Sequence, residues 1–448
     1  MLVVSDQVKR ATCLATTPVP GLRQLGDQER EIIPMARGIT KYAALVERAE
    51  DIACHFDQAL HLAANGRPGP VWLDIPIDVQ SANTDPATLR RSVPSATPPL
   101  VPPDSDIDAI VRRLRGAKRP VILAGTGIRA EGALDEFEVL IRRLGIPVTT
   151  AWTHDLIASD DPLFCGRPGT IGTRAGDFTV QNADLVRILG SHLNIRQVSY
   201  NRQAFAPRAF KIQVDIDRAE LAKPTVKPDL SVTADLRPFL AALNRRLEDW
   251  TTQACHAEWR HRCKERLARY PTVQPRQREF KGKINRYHFI EQLFARLDGE
   301  DIVACGNATA TIVPFQVGDI RPGMRMIFNS CSASMGYDLP AAIGARFGAM
   351  ANGGATGRVI CLAGDGSMMM NLQSPTTDHS FPDHILNRSE PDIRAPSPPL
   401  TTTRVDLILG VLTPDGGQIL VDGQDITANL AGWQSQLGYI PQSIYLSD

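Results

Sequence analysis

The sequence predicts an α/β chain built of doubly wound parallel sheets, and three observations carry the prediction. Strand-like runs such as Val121-Ile-Leu-Ala124, Leu185-Val-Arg-Ile-Leu-Gly190 and Phe210-Lys-Ile-Gln-Val-Asp215 alternate with segments of helical apolar spacing. Glycines follow the strand-like runs, as in Gly125-Thr-Gly127, where a tight turn lets the chain leave a sheet. The run Val359-Ile-Cys-Leu-Ala-Gly-Asp-Gly-Ser367 sets one carboxylate, Asp365, at the tip of such a turn, which is how a parallel sheet presents a metal ligand.

Taken in order, Met1–Val4 reads as a strand, and residues 48–64 place Ile52, Ala53, Phe56, Ala59, Leu60 and Ala63 on a helical stripe. Gly66-Arg-Pro-Gly-Pro-Val-Trp-Leu-Asp-Ile-Pro76 then supplies a turn and a second strand. Two strands and one helix do not close an α/β layer, so residues 1–80 are expected to be the later part of a domain. Residues 81–103, rich in Pro, Ser, Thr and Ala, predict a linker. Residues 104–245 hold a second α/β unit, with helices at Ile107–Leu114 and Glu131–Leu144 and the three strands named above. A charged stretch, Glu248–Lys283, joins it to a third unit over 284–373. That unit opens on a helix carrying Phe289, Leu293, Phe294 and Leu297, followed by a strand at Asp301–Cys305 and the turn Gly306-Asn-Ala-Thr309. A helix rich in small residues within Met335–Gly348 and the strand ending at Gly364 complete it, leaving the third unit unfinished. Residues 374–404, full of Pro, Ser and Thr without period, predict a disordered junction. Val405–Asp448 reads as strand, Gly416-Gly417 turn and strand.

Composition excludes several functions. Lys plus Arg equals Asp plus Glu at 49 each, so no global field draws the chain to nucleic acid or an anionic membrane. No window approaches the ~18 apolar residues a membrane span needs, and the first residues lack a signal-peptide pattern. The eight cysteines form no CxxC pair, and Cys255 and Cys263 are too far apart for a zinc knuckle. Free thiols in a reducing cytoplasm are the expectation, and with them a cytoplasmic location.

Five motifs occur in one order: Gly66-Arg-Pro-Gly-Pro-Val with Asp74-Ile-Pro; Gly166-Arg-Pro-Gly with Gly172; Gly306-Asn-Ala-Thr; Met335-Gly with Leu339-Pro-Ala-Ala; and Gly364-Asp-Gly-Ser. In this order and spacing, residues 1 to about 373 resemble the acetolactate synthase group of thiamine-diphosphate enzymes. The resemblance implies doubly wound domains of the thiamine-diphosphate enzyme type, with 1–80 as the C-terminal half of a pyrimidine-binding domain, 104–245 as a central domain and 284–373 as a truncated diphosphate-binding domain. It implies thiamine diphosphate and Mg2+ as cofactors, a small 2-oxo acid as substrate, and a homodimer or tetramer. Asp365 would be the magnesium ligand. Gly364, Gly366 and Ser367 would approach the diphosphate, Asn307, Ala308 and Thr309 would line its other side, and Met335 would lie near the cofactor's rings.

Departures from the family set a further expectation. A second metal ligand, usually Asn, follows later in relatives. Asn387 and Asp392 fall near that distance, but their neighbours do not continue the family's pattern. The glutamate that activates the aminopyrimidine would precede Met1, and Glu29 and Glu31 lie in a later loop where Asp27 replaces the usual apolar residue before Gln28-Glu29. No catalytic residue is therefore assigned, and impaired or lost carboligation and decarboxylation are expected. FAD, which some relatives bind in the central domain, finds only Gly125-Thr-Gly-Ile-Arg129, Arg174 and Asn194-Ile-Arg196 to meet it, without the dinucleotide spacing. Residues 405–448 resemble a fragment of an ABC transporter ATPase with Gln442 as its Q-loop glutamine, yet Thr401 stands where the phosphate-binding lysine belongs. The alternatives are a non-catalytic fusion or mis-joined reading frame and, more weakly, a transporter ATPase.

Overall fold

The structure, a computed structural model, describes residues 1–371 apart from 96, 153–154, 280–283, 330 and 352–356, together with 420–421 and 424–425. The predicted junction 374–404, Asn387, Asp392, Gln442 and nearly all of 405–448 lie outside the described residues. Within the last fragment, Leu420–Val421 pairs antiparallel with Gln424–Asp425. The chain divides into two compact units, one of residues 1–101, 216–218 and 233–238, the other of the remainder.

In the first unit, strands β1 (Leu2–Gln7), β2 (Tyr42–Leu45) and β3 (Val71–Pro76) form a sheet of order β1-β3-β2. Both pairings are parallel, with Leu2 and Tyr42 opposite Val71 from either side. Helix α1 (Ile52–Ala64) follows the predicted stripe and packs Ala59 among Val46, Val71, Leu73 and Ile75. Strand β2 was not expected from the sequence. Its Tyr-Ala-Ala-Leu is short and alanine-rich, and alanine favours strands weakly. The proline-rich stretch after residue 80 is fastened to this unit, with Arg90 on Asp51 at 2.9 Å and Arg91 on Asp57 at 2.7 Å.

The second unit opens with α2 (Asp104–Gly116), which buries Ile107, Ile110, Val111 and Leu114. Its main sheet contains β4 (Pro120–Ala124), β5 (Val148–Thr150), β6 (Leu185–Leu189), β7 (Phe210–Asp215) and β8 (Leu230–Thr233) in the order β5-β4-β6-β7-β8. Strand β4 runs parallel to β5 and β6, and β6 parallel to β7. Order reverses between β4 and β6, as doubly wound sheets require. Helix α3 (Leu134–Leu144) begins three residues later than its apolar pattern suggested, because Gly132 takes φ +66° and breaks the run. Helix α4 (Arg174–Gln181) and helix α5 (Ala254–Arg269) cover one sheet face, where Val180, Trp259 and Cys263 pack with Val121, Leu123, Val186 and Ile188. Helix α5 corrects the reading of Glu248–Lys283 as a plain charged connection.

A second sheet in this unit has β9 (Ile302–Cys305) at its centre, flanked by β10 (Arg325–Phe328) and β11 (Val359–Leu362), all parallel. Helix α6 (Arg286–Phe294) buries Ile290 and Phe294 against it, with Val303, Cys305 and Met326. Helix α7 (Thr309–Val317) follows β9, and α8 (Asp338–Ala351) precedes β11. The start of α8 is delayed to Asp338 by Gly336, at φ +80°. Helix α9 (Asp365–Met369) takes up the chain where a tight turn was expected, with Gly364 as its extended N-cap.

Candidate functional site

Strands β9 and β11 leave their sheet side by side. Cys305 lies opposite Leu362, and the Gly306 N–H donates to the Leu362 carbonyl at 2.8 Å. The carboxyl ends of parallel strands are where α/β sheets bind ligands, because the loops that follow are free to diverge. The loop after β9 carries Asn307 and Ala308 into α7, which starts at Thr309. After β11 the chain presents Gly364, Asp365, Gly366 and Ser367. A third segment brings Met335 and Gly336 into α8.

Hydrogen bonds join these segments. Asn307 Nδ2 donates to the Ala333 carbonyl at 3.3 Å, Asn371 Nδ2 to the Gly336 carbonyl at 2.6 Å, and the Gly336 N–H to Ser367 Oγ at 2.8 Å. The residues singled out from sequence thus share one cluster of three loops. Asp365 and Ala308 are exposed, Asn307, Thr309, Met335 and Gly366 are half-buried, and Gly364 and Ser367 are buried. Helix α7 is fixed at its far end, where Phe315 stacks on Trp152 at 4.8 Å and its carbonyl accepts from the buried Arg167 at 3.2 Å.

Two features of the cluster have the character of a binding site. Ala308 takes φ +48° with ψ −124°, a positive-φ conformation outside the left-handed helical well that costs an alanine about 1–3 kcal/mol and is held only by its surroundings. Asn307 Oδ1 is buried and has no hydrogen-bond partner among the described residues. Among the described residues no three His, Cys, Asp or Glu side chains are grouped to hold a metal ion. The donor set is therefore glycine-rich backbone, one amide and the exposed Asp365 carboxylate. That set fits a ligand that brings its own anionic oxygens to a shared divalent cation, with water completing the coordination.

The Ser367 hydroxyl donates to Asp338 Oδ2 at 2.6 Å and accepts from the Gly336 N–H, so its side chain is engaged inside the protein. Asp338, fully buried, was not among the residues picked from sequence, although a carboxylate amid Met-Gly-Tyr-Asp-Leu-Pro is a visible anomaly. Beneath the loops, burial pushes the Cys361 thiol up to about 12 and Cys305 higher still, so both remain protonated packing groups.

Other residues flagged from sequence serve the structure where they stand. Glu29 is buried, and its carboxylate accepts from the backbone N–H groups of Leu14, Leu25 and Gly26. A Cβ on Gly125 would lie 2.2 Å from the Gly190 carbonyl oxygen, so these turns pack backbone to backbone. Arg129 pairs with Asp155 at 3.3 Å, Arg174 lies over the Tyr270 ring at 4.5 Å, and Asn194 caps the turn containing Arg196. All eight cysteines are free thiols. Among the described residues no helix is long and apolar enough to cross a membrane.

Comparison with known proteins places these sheets in a class. Residues 107–243 match the family model described as thiamine pyrophosphate enzyme, central domain, and residues 306–377 match that of the C-terminal TPP binding domain. The main sheet and the three-loop cluster thus fall within two domains of thiamine pyrophosphate enzymes. Among individual proteins, the chain is 34% identical over 355 residues to a probable acetolactate synthase 2, chloroplastic, of Oryza sativa subsp. japonica, covering 77% of this chain and 52% of that protein. It is 32% identical to the acetolactate synthase isozyme 1 large subunit of Escherichia coli (strain K12), covering 78% of this chain and 59% of that protein. The acetolactate synthase large subunit of Corynebacterium glutamicum is also 32% identical, with 78% and 55% covered. The chain spans about half the length of the curated relatives it matches.

Proposed function

We propose that the three-loop cluster binds thiamine diphosphate through Mg2+, and that its chemistry is the acetolactate synthase-like decarboxylation and carboligation of 2-oxo acids. The observation that supports this most is the convergence of Asn307, Ala308, Thr309, Met335 and the Gly364–Ser367 segment at the carboxyl ends of β9 and β11. Asp365 would supply the protein's carboxylate to the cation. Backbone N–H groups of Gly364, Gly366 and Ser367 would meet diphosphate oxygens, since Ser367 Oγ is already engaged. When bound, thiamine diphosphate supplies the carbanion-stabilising centre that loss of carbon dioxide from a 2-oxo acid requires. The residues of this chain hold and orient; none described here is assigned a proton transfer.

Turnover is proposed to be impaired, because after Gln373 the sequence leaves the pattern in which relatives place their second metal ligand. Assembly into a homodimer or tetramer is part of the same reading. Calorimetry with thiamine diphosphate and Mg2+ tests the binding claim. Weak binding that Asp365→Ala abolishes is expected, and tight binding indifferent to that change would refute the assignment. A colorimetric acetoin assay with pyruvate should show little or no product, and robust turnover would overturn the claim of impairment.

A further inference from the structure

Asp338 occupies an unusual place. Its carboxylate is fully buried, yet its described contacts are neutral: Oδ2 accepts from Ser367 Oγ at 2.6 Å and Oδ1 from the Leu339 N–H at 3.0 Å. Ser367 Oγ in turn accepts from the Gly336 N–H at 2.8 Å. The same Oδ2 lies against Gly306, so closely that a Cβ there would sit 2.3 Å from it. One side chain therefore touches the loop after β9 directly, the turn after β11 through the Ser367 hydroxyl, and the segment before α8 through Gly336.

We propose that Asp338 is the positioning residue of the cofactor site, a buried post that sets the spacing of the three loops that would hold the diphosphate and its cation. The inference rests on the proposed thiamine-diphosphate reading for its ligand, but the mechanical claim stands on these contacts alone. A buried hydrogen-bonded carboxylate suits the role because its two oxygens accept in fixed directions and the desolvated group cannot exchange its partners for water. The Ser367 hydroxyl, donating to Asp338 while accepting from Gly336, can hold both neighbours at once only in one rotamer. Gly306 is then required by sterics, since any side chain there would displace the carboxylate.

Hydrogen–deuterium exchange on the full chain without cofactor, alongside calorimetry with thiamine diphosphate and Mg2+, tests the proposal in wild type, Asp338→Asn, Asp338→Gly and Ser367→Ala. Loss of the carboxylate should speed exchange about tenfold or more in residues 306–312, 333–337 and 364–369 together, while β4, β6 and β7 keep wild-type protection. Ser367→Ala should loosen only the last two segments. Asp338→Asn, which retains one acceptor for Ser367, should fall between wild type and Asp338→Gly. If Asp338→Gly does not fold, the Asn and Ser367 variants still decide the matter. Exchange confined to the first turn of α8, or spread evenly through the unit, would overturn the proposal. Should wild type bind no thiamine diphosphate, the functional reading fails while the exchange data still judge the post. Should wild type bind and Asp338→Asn bind equally well, the positioning role fails instead.

Discussion

Arg187 sits at the centre of β6, in register with Ile122 on one side and Ile212 on the other. It is 1% exposed, and none of its three guanidinium nitrogens has a hydrogen-bond partner among the described residues. Burial lowers its proton affinity to about 9. Relative to a solvated arginine that fall corresponds to about 5 kcal/mol of unfavourable charge burial, an upper bound, since relaxation of a real interior recovers part of it. Arg187→Met keeps an unbranched chain of similar reach and removes the charge, so we expect stability at neutral pH to rise by about 1–4 kcal/mol. The sign of the pH dependence follows from a basic group whose folded affinity is depressed. Its cost is complete below about pH 9 and is relieved as pH rises through that value, by about 1.4 kcal/mol per pH unit, because the folded chain then sheds a proton that the unfolded chain keeps. Urea unfolding of both proteins at about pH 7 and about pH 10 reads the effect. The variant should be the more stable at the lower pH and the gap should narrow at the higher. A variant less stable than wild type at neutral pH, or a gap that does not move with pH, would refute the reasoning.

The remaining predictions concern residues that hold loops. Burial pushes the Glu29 carboxyl up, but the N–H groups of Leu14, Leu25 and Gly26 together outweigh it and hold the group below the usual glutamate range. Its stabilisation is therefore present above the ordinary glutamate pKa and lost as pH falls through the depressed one. Glu29→Ala should cost about 1–3 kcal/mol and open residues 10–30 to protease at neutral pH, whereas unchanged cleavage would exclude the anchor role. Asp155, which accepts from Arg325 Nε at 2.8 Å and the Met326 N–H at 3.2 Å, also pairs with the half-buried Arg129. Asp155→Ala should lower stability by about 1–3 kcal/mol in urea, because it removes the carboxylate partner of Arg129 and leaves it the backbone carbonyl of residue 155, and a loss under about 0.5 kcal/mol would show the pairing to be superficial.

What was legible in the sequence follows from where each signal is stored. Strands β4 and β11 are recognisable as short apolar runs, and β6 and β7 as runs of Val, Ile, Leu and Phe interrupted by Arg187 in one and by Lys211 and Gln213 in the other, a property of neighbouring residues. Strand β2, with its alanines, and β5, a three-residue Val-Thr-Thr, carry too little of that signal. Helix α5 was hidden differently: His256, Trp259 and Cys263 form a narrow buried stripe within a helix otherwise dense in charge, so its surface outweighed its core in the pattern. Arg187 stands inside the strand-like run 185–190, and only the covering of both sheet faces reveals its burial.

The candidate site divides along the same line. Gly364-Asp-Gly-Ser and Gly306-Asn-Ala-Thr could be picked out because their signal lies in consecutive residues, glycines that follow a strand with a carboxylate or an amide beside them. Asp338 was not, because its partner Ser367 is 29 positions away and its steric neighbour Gly306 lies in the loop after β9. No period or spacing encodes such a meeting, which exists only once β9 and β11 are paired and α8 has folded back between them in sequence. Residues that face a ligand write short local motifs, while the residues that aim them are chosen by tertiary contact. A chain can therefore keep its motifs and still lose the site's geometry through one substitution beneath it, and Asp338 is the position where this chain would show that separation most directly.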